Sequence, residues 1–289
     1  MNAPSDGRTL PVVTLSVVIP CFNEERNLER GVLDEVRRTL ERQRRPWEVV
    51  LVDDGSTDRS ADLLRRFVRD RTGFFLLEVP HGGKPAAVWA GIRRARGEIV
   101  LFTDMDQSTP LDAWDTLAPW YERGYDAVIG SRGIRREGFP AARRLSSRVF
   151  RFLRRLFILR GISDTQCGFK SFRRRAAMTV FPHLRFLRTG KPPSGWKVTA
   201  FDVELLFLLA KAGVAIREVE VDWRNRDESR TKHRGRIWPR YLRESAEMAE
   251  EVIHVRLKQM LGGYRAVRPG MTADEEASCD PQGKLPGSG

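Results

Sequence analysis

The stretch Val49-Val50-Leu51-Val52-Asp53-Asp54-Gly55-Ser56-Thr57-Asp58-Arg59-Ser60 decides how the rest of the chain is read. With Trp47 and Glu48 before it, the apolar run reads as a strand buried on both faces, as strands are in parallel sheets covered by helices. Asp53 and Asp54 end the run, and Gly55 permits close backbone approach. Thr57 or Asp58 can cap a helix reaching about Asp70.

Working outward, the same strand-loop-helix order repeats. Upstream, Leu15 to Ile19 is an apolar strand ending at Pro20, followed by helical spacing from Asn27 to about Arg44. Downstream come a strand Phe74 to Val79, a helix Lys84 to Arg96 and a strand Glu98 to Thr103 that stops on Asp104. A further strand, Asp126 to Ile129, ends at Gly130-Ser131-Arg132. Arg143 to Arg160 reads as an amphipathic helix with arginines on one face and Val149, Phe152, Leu153 and Leu156 on another. A helix over Thr199 to Ala212, an alternating strand over Ala215 to Val221 and a charged loop over Trp223 to Arg236 follow. The expected organisation is a flexible terminus at 1–13, one α/β domain at 14–235, an amphipathic helix at 236–262 and a disordered tail at 263–289.

A chain of 289 residues with a formal charge of +13 can bury one sizeable core and favours an anionic partner. Nucleic acid is disfavoured, because the aromatic residues fall inside apolar runs instead of alternating with basic ones. Cys21, Cys167 and Cys279 are widely spaced and odd in number, which points away from a disulfide framework or a zinc site. Neither an export signal nor a long apolar span is evident, so a reduced cytoplasmic setting is expected.

In open parallel sheets, ligands collect at the carboxyl ends of the strands. Three polar clusters fall there: Pro20 to Glu24, Asp53 to Ser56, and Asp104 to Asp106. Asp104 and Asp106 offer hard oxygen ligands for a divalent cation that could share the oxygens of a diphosphate, although a solvated turn before Pro110 would look the same. Asp53 and Asp54 can accept hydrogen bonds from a base edge or ribose, or cap a helix. His81-Gly82-Gly83-Lys84 has neither the P-loop nor the dinucleotide spacing, and Lys84 at a helix start can instead meet nucleotide or diphosphate.

Taken in order, VVIPCFNEERNL (17–28), VVLVDDGSTDRS (49–60), the segment from Gly82 to Pro110, and DTQCGFKSF (164–172) resemble the inverting family-2 glycosyltransferases of the GT-A fold. DTQCGFK together with FDVELL (201–206) is more narrowly similar to dolichyl-phosphate β-glucosyltransferases and bacterial polyprenyl-phosphate relatives. The resemblance implies a mostly parallel, Rossmann-like sheet flanked by helices, with a C-terminal helical extension. It also implies nucleotide contacts from Pro20, Asn23, Glu24, Asp53, Asp54 and Lys84, and Mg2+ or Mn2+ held by Asp104 and Asp106. Asp164 and Gln166 would lie on the acceptor side, with Asp164 and Asp106 nearest the chemistry. Arg226, Ser229 and Lys232 would close over the diphosphate, although RNRDESRTK lacks the glycine of the usual motif.

The expected reaction moves a hexose, glucose from UDP-glucose, onto a polyprenyl or dolichyl phosphate at the cytoplasmic face of a membrane. A hydroxyl acceptor and a GDP-mannose donor are the competing expectations. A phosphate monoester has a second pKa of about 6 and needs orientation more than deprotonation, whereas a hydroxyl needs a base. Asp164 can serve in either role. The basic helix 143–160 is the expected peripheral membrane contact. The helix ending at Leu261, with Trp238 and Tyr241, is a second candidate for that contact or for homo-oligomer formation.

Overall fold

The computed structural model describes residues 14–133, 161–188, 201–228 and 252–270. The expected flexible N-terminus, the basic helix 143–160, Ser229, Lys232, Trp238, Tyr241 and the end of the expected tail lie outside the described residues.

Seven strands among the described residues form one sheet: β1 (Leu15–Cys21), β2 (Trp47–Asp53), β3 (Phe74–Glu78), β4 (Ile99–Phe102), β5 (Ala127–Ser131), β6 (Lys170–Arg173) and β7 (Ile216–Glu220). Their spatial order is β3-β2-β1-β4-β6-β5-β7. Every neighbouring pair is parallel except β6, which runs antiparallel to both β4 and β5. β6 is the strand that sequence reading did not anticipate. Its four residues, KSFR, carry no apolar run, and the fully buried Lys170 is satisfied by Asp202 from another element and by the Cys167 carbonyl.

Period-2 alternation divides the strand side chains between two cores. Val18, Val50, Val52, Val100 and Phe102 face one side, and Val17, Ile19, Val49, Leu51 and Leu101 face the other. Burying each such side chain contributes about 1.5–3 kcal/mol. α4 (Lys84–Arg94) lies against β1 and β2, and Gly91 makes the approach possible: a Cβ there would stand 2.3 Å from Val18 Cγ1.

β1 runs two residues past its expected end and so includes Pro20, in a strand with neighbours on both sides. Val18 O accepts from Thr103 N on the β4 side, and Pro20 shares that orientation. β4 pairs with β1 only as far as Val18–Phe102, so the amide hydrogen that Pro20 lacks has no ladder partner to disappoint.

The helix expected from Asn27 to Arg44 is two helices, α1 (Glu25–Glu29) and α2 (Val32–Glu41). Gly31, at φ +82°, breaks the helical path between them. α3 (Ser60–Val68) starts later than expected, and Asp58 Oδ1 accepts from Ser60 N at 2.9 Å. Two short helices, α5 (Trp114–Leu117) and α6 (Pro119–Glu122), precede β5, while α7 (Arg174–Val180) and α8 (Arg185–Arg188) follow β6.

α9 (Phe201–Lys211) packs beside α7, and a helix over 252–260 follows. Order continues past the expected start of the tail at 263. Tyr264 and Val267 are buried in the core, and the Tyr264 hydroxyl donates to Glu204 of α9 at 2.6 Å.

Candidate active site

The loops after β1 and β2 are stitched together at the carboxyl edge of the sheet. Asn23, in the left-handed region at φ +56°, donates its N–H to Ser56 Oγ at 3.0 Å, and its Oδ1 accepts from Thr57 N at 2.8 Å. Glu24 N donates to Ser60 Oγ, and Glu24 Oε2 accepts from Asn27 Nδ2. Asp53 Oδ2 accepts from Ser56 N at 3.2 Å, while its Oδ1 is buried without a hydrogen-bond partner. A buried carboxylate oxygen in that position suits an N–H or O–H donor on a ligand.

Asp54 faces the other way. Fully buried, it accepts from Gly82 N at 2.8 Å and Gly83 N at 2.9 Å, with His81 Nδ1 2.9 Å away. His81 in turn stacks on Phe22 with ring centroids 4.2 Å apart. Burial raises the Asp54 pKa, and the two amides and His81 act against that rise. Asp54 thereby fixes the HGGK loop and sets Lys84 at the first position of α4.

Asp104 follows β4, and its backbone carbonyl accepts from Gln107 N at 3.2 Å and Gln107 Nε2 at 2.8 Å. Gln107 takes φ +49°, which folds the DMDQS segment into a tight turn. The Asp104 carboxylate pairs with Lys84 Nζ, and Asp106 Oδ1 accepts from Ser108 N at 2.8 Å. Arg30 Nη2 donates to Asp106 O at 2.9 Å and holds the turn from the α1 side.

Among the described residues no three His, Cys, Asp or Glu side chains converge as a complete metal cage. Two carboxylates two residues apart in one tight turn fit a small hard divalent cation that takes its remaining ligands from water and substrate phosphate.

The turn around Asp164 is built differently. Asp164 receives a two-pronged bond from Arg132, Nε to Oδ2 and Nη2 to Oδ1, each 2.7 Å, and also accepts from the backbone amides of Arg132 and Gln166 at 3.1 Å. Glu218 of β7 accepts from Ser163 N and Asp164 N at 2.7 and 2.6 Å and so positions that turn. Burial opposes the charge on Arg132, but the Asp164 pair outweighs it and holds the guanidinium above its ordinary pKa, with Asp104 adding to the effect. The two sides meet at Gly168, where a Cβ would lie 1.9 Å from Asp104 Oδ2.

A model of the family described as "Glycosyl transferase family 2" matches residues 16–181. The chain belongs to glycosyltransferase family 2. It is 32% identical over 242 residues to a dolichyl-phosphate beta-glucosyltransferase of Trichomonas vaginalis, covering 78% of this chain and 71% of that protein. It is 31% identical over 290 residues to the dolichyl-phosphate beta-glucosyltransferase of Homo sapiens, covering 92% and 83%. Among solved structures, glucosyl-3-phosphoglycerate synthase from Mycobacterium tuberculosis in complex with Mn2+, UDP-glucose and phosphoglyceric acid superposes with a TM-score of 0.56. That match has 20% identity over 84% of this chain and 79% of that one, and it shows the shared fold, a mostly parallel α/β sheet of the GT-A type.

In this family-2 glycosyltransferase, Pro20, Asn23, Glu24, Asp53, Asp54, Lys84, Asp104 and Asp106 of the expected set lie at or just beyond the carboxyl ends of β1 to β4, joined by the contacts above, and Asp164 and Gln166 lie in the turn that Arg132 and Glu218 hold. Arg226 lies against the Asp106 turn: its N donates to Ser108 Oγ at 3.2 Å, its Nη2 donates to Glu35 of α2 at 2.9 Å, and its carbonyl accepts from Arg30, which also donates to Asp106 O. Arg132, Lys170 and Asp202 are additions that sequence reading missed. Arg132 could have been found, since it follows the end of a strand as the other clusters do. The Lys170–Asp202 pair joins β6 to α9, and no local pattern announces such a contact.

Proposed function

We propose that this glycosyltransferase moves glucose from UDP-glucose to the phosphate of a polyprenyl or dolichyl lipid at the cytoplasmic face of a membrane. The observation that carries this reading is the commitment of Asp164. Both its oxygens are engaged by Arg132 and by backbone amides, so it is poorly placed to take a proton from an incoming hydroxyl. A phosphate monoester, with a second pKa of about 6, arrives already ionised and needs a cation and an orientation instead. The names of the similar human and Trichomonas proteins support the same acceptor and sugar.

On this reading a phosphate oxygen of the lipid attacks the anomeric carbon. The new C–O bond forms as the bond from that carbon to the diphosphate oxygen breaks, and the electron pair leaves with the nucleoside diphosphate. The vacant oxygen of Asp53 receives an N–H of the base, and Lys84 stands at the diphosphate end of the nucleotide. Mg2+ or Mn2+ held by Asp104 and Asp106 would supply neutralisation of the charge building on the leaving group. Arg132, fixed by Asp164, orients the attacking phosphate side. On this reading residues 143–160 supply the basic contact with the membrane, and Ser229 and Lys232 close over the diphosphate.

The test is radiolabelled UDP-glucose with purified protein, polyprenyl phosphate and either cation. Label entering the organic phase is expected. Transfer confined to water-soluble hydroxyl acceptors would overturn the reading.

A further inference from the structure

Five large hydrophobic residues among those described are exposed, and four of them, Ile253, Leu257, Met260 and Leu261, fall within nine consecutive positions. Their exposures are 58%, 52%, 73% and 83%, against buried neighbours Val252 and Val255 on the opposite side of the same helix. The spacing i, i+4, i+7, i+8 makes one continuous stripe, and Leu261 N bonds to Leu257 O, which carries the helical path through the last member. Nothing about core packing accounts for this outward face, because the helix already buries Val252 and Val255.

The segment is held rigidly. Glu204 accepts from Tyr264 Oη at 2.6 Å and from Lys258 Nζ at 3.1 Å, and Gly270 N donates to Ala212 O at the far end of α9. Glu204 lies two residues from Asp202, and Asp202 pairs with Lys170, which stands opposite Phe102 at the end of β4. The stripe is therefore braced on the helix whose first turn pairs with Lys170 of β6. Its surroundings are cationic: Arg256, Arg265 and Arg268 are exposed beside it, and residues 252–270 contain no Asp or Glu.

We propose that this stripe docks on an anionic lipid bilayer, with the four apolar side chains entering the headgroup boundary and the three arginines meeting lipid phosphates. An exposed apolar face in a segment with three exposed arginines fits such a surface by charge as well as by hydrophobicity. The inference rests on the lipid-phosphate reading above, and of the two uses that the sequence left open for the helix ending at Leu261 it chooses the membrane and names the side chains that make the contact.

Co-sedimentation of the full chain with phosphatidylcholine vesicles, with and without phosphatidylglycerol, tests it. Wild-type protein is expected to bind the anionic vesicles, and the variant L257S/M260S/L261S to bind about tenfold or more weakly with an unchanged melting temperature. R256E/R265E/R268E should lose the salt-sensitive part of the binding. Binding by both variants equal to wild type would overturn the proposal, as would wild-type protein that ignores anionic vesicles. A wild-type dimer that the serine variant dissolves, without vesicle binding, would reassign the stripe to a second copy of the chain. Transfer to a short-chain, water-soluble prenyl phosphate is read in parallel: its absence in wild type defeats the acceptor reading, and the vesicle result still decides this one.

Discussion

On the proposed nucleotide side, Asp53, Asp54 and Asp106 accept from backbone amides of nearby loops while Asp104 pairs with Lys84, whereas on the proposed acceptor side Asp164 and Asp202 are gripped by the cations of Arg132 and Lys170, with two backbone amides added at Asp164. The difference is one of charge. An amide turns a carboxylate without neutralising it, so apart from the Lys84–Asp104 pair the first side keeps more of its negative charge, as the proposed metal and base contacts need. An arginine or lysine orients and neutralises together, and the carboxylates it holds act as supports. The two regions thus use the same residue type for opposite ends.

The largest expected effect breaks the nucleotide side. Asn at position 106 can still accept from Ser108 N, so Asp106→Asn removes charge and leaves the turn in place. Transfer is expected to fall about 10^3-fold or more, with the melting temperature nearly constant. Near-normal rates in this variant would mean that the charge is not used.

Next in size is Lys170→Met, which strands Asp202 in the core. A loss of about 3–5 kcal/mol of stability is expected in denaturant titration, and Lys170→Met/Asp202→Leu should recover most of it. If the single variant were as stable as wild type, the pair would not be the support described. Arg132→Lys keeps the charge but loses the fork on Asp164, and kcat/KM is expected to drop about 10- to 100-fold. Asp164→Asn should retain the acidic limb of the pH–rate profile, because that limb belongs to the acceptor phosphate; its disappearance would make Asp164 a base.

The smallest effect lies away from the cleft. Buried Glu48 accepts from Ser16 Oγ, Arg96 N and Arg96 Nε. Burial raises its pKa, but these bonds outweigh it and leave the value below the ordinary carboxylate range. A depressed folded pKa contributes stability that is present above the unfolded value and lost as pH falls through the folded one. Glu48→Gln should therefore cost about 1–2 kcal/mol at neutral pH, with the gap to wild type closing below about pH 4. A gap that stays constant down to acid would show that the carboxylate charge is not involved.

The nucleotide half was legible in the linear chain because each strand is a continuous apolar run that delivers its polar cluster directly at its end. Boundaries moved by a residue or two, and Gly31 split one helix, yet the expected ligand clusters stayed together. The acceptor half was only partly legible. DTQCGFK was visible as a motif, but β6, inserted antiparallel between β4 and β5, has a buried lysine where a strand pattern calls for an apolar residue.

By itself, the sequence determined the alternating α/β layout, the parallel strands β1 to β4 and the carboxylates at their ends, since periodicity and strand-end position are local properties. Only the tertiary structure decided what each carboxylate is bonded to. Asp54 turned toward Gly82 and Gly83, Asp164 toward Arg132, Arg226 toward Glu35, and Tyr264 toward Glu204, across separations from 28 to 191 residues. The physical reason is that a side chain's partner is set by which elements pack together, and packing brings together residues whose spacing along the chain carries no signal.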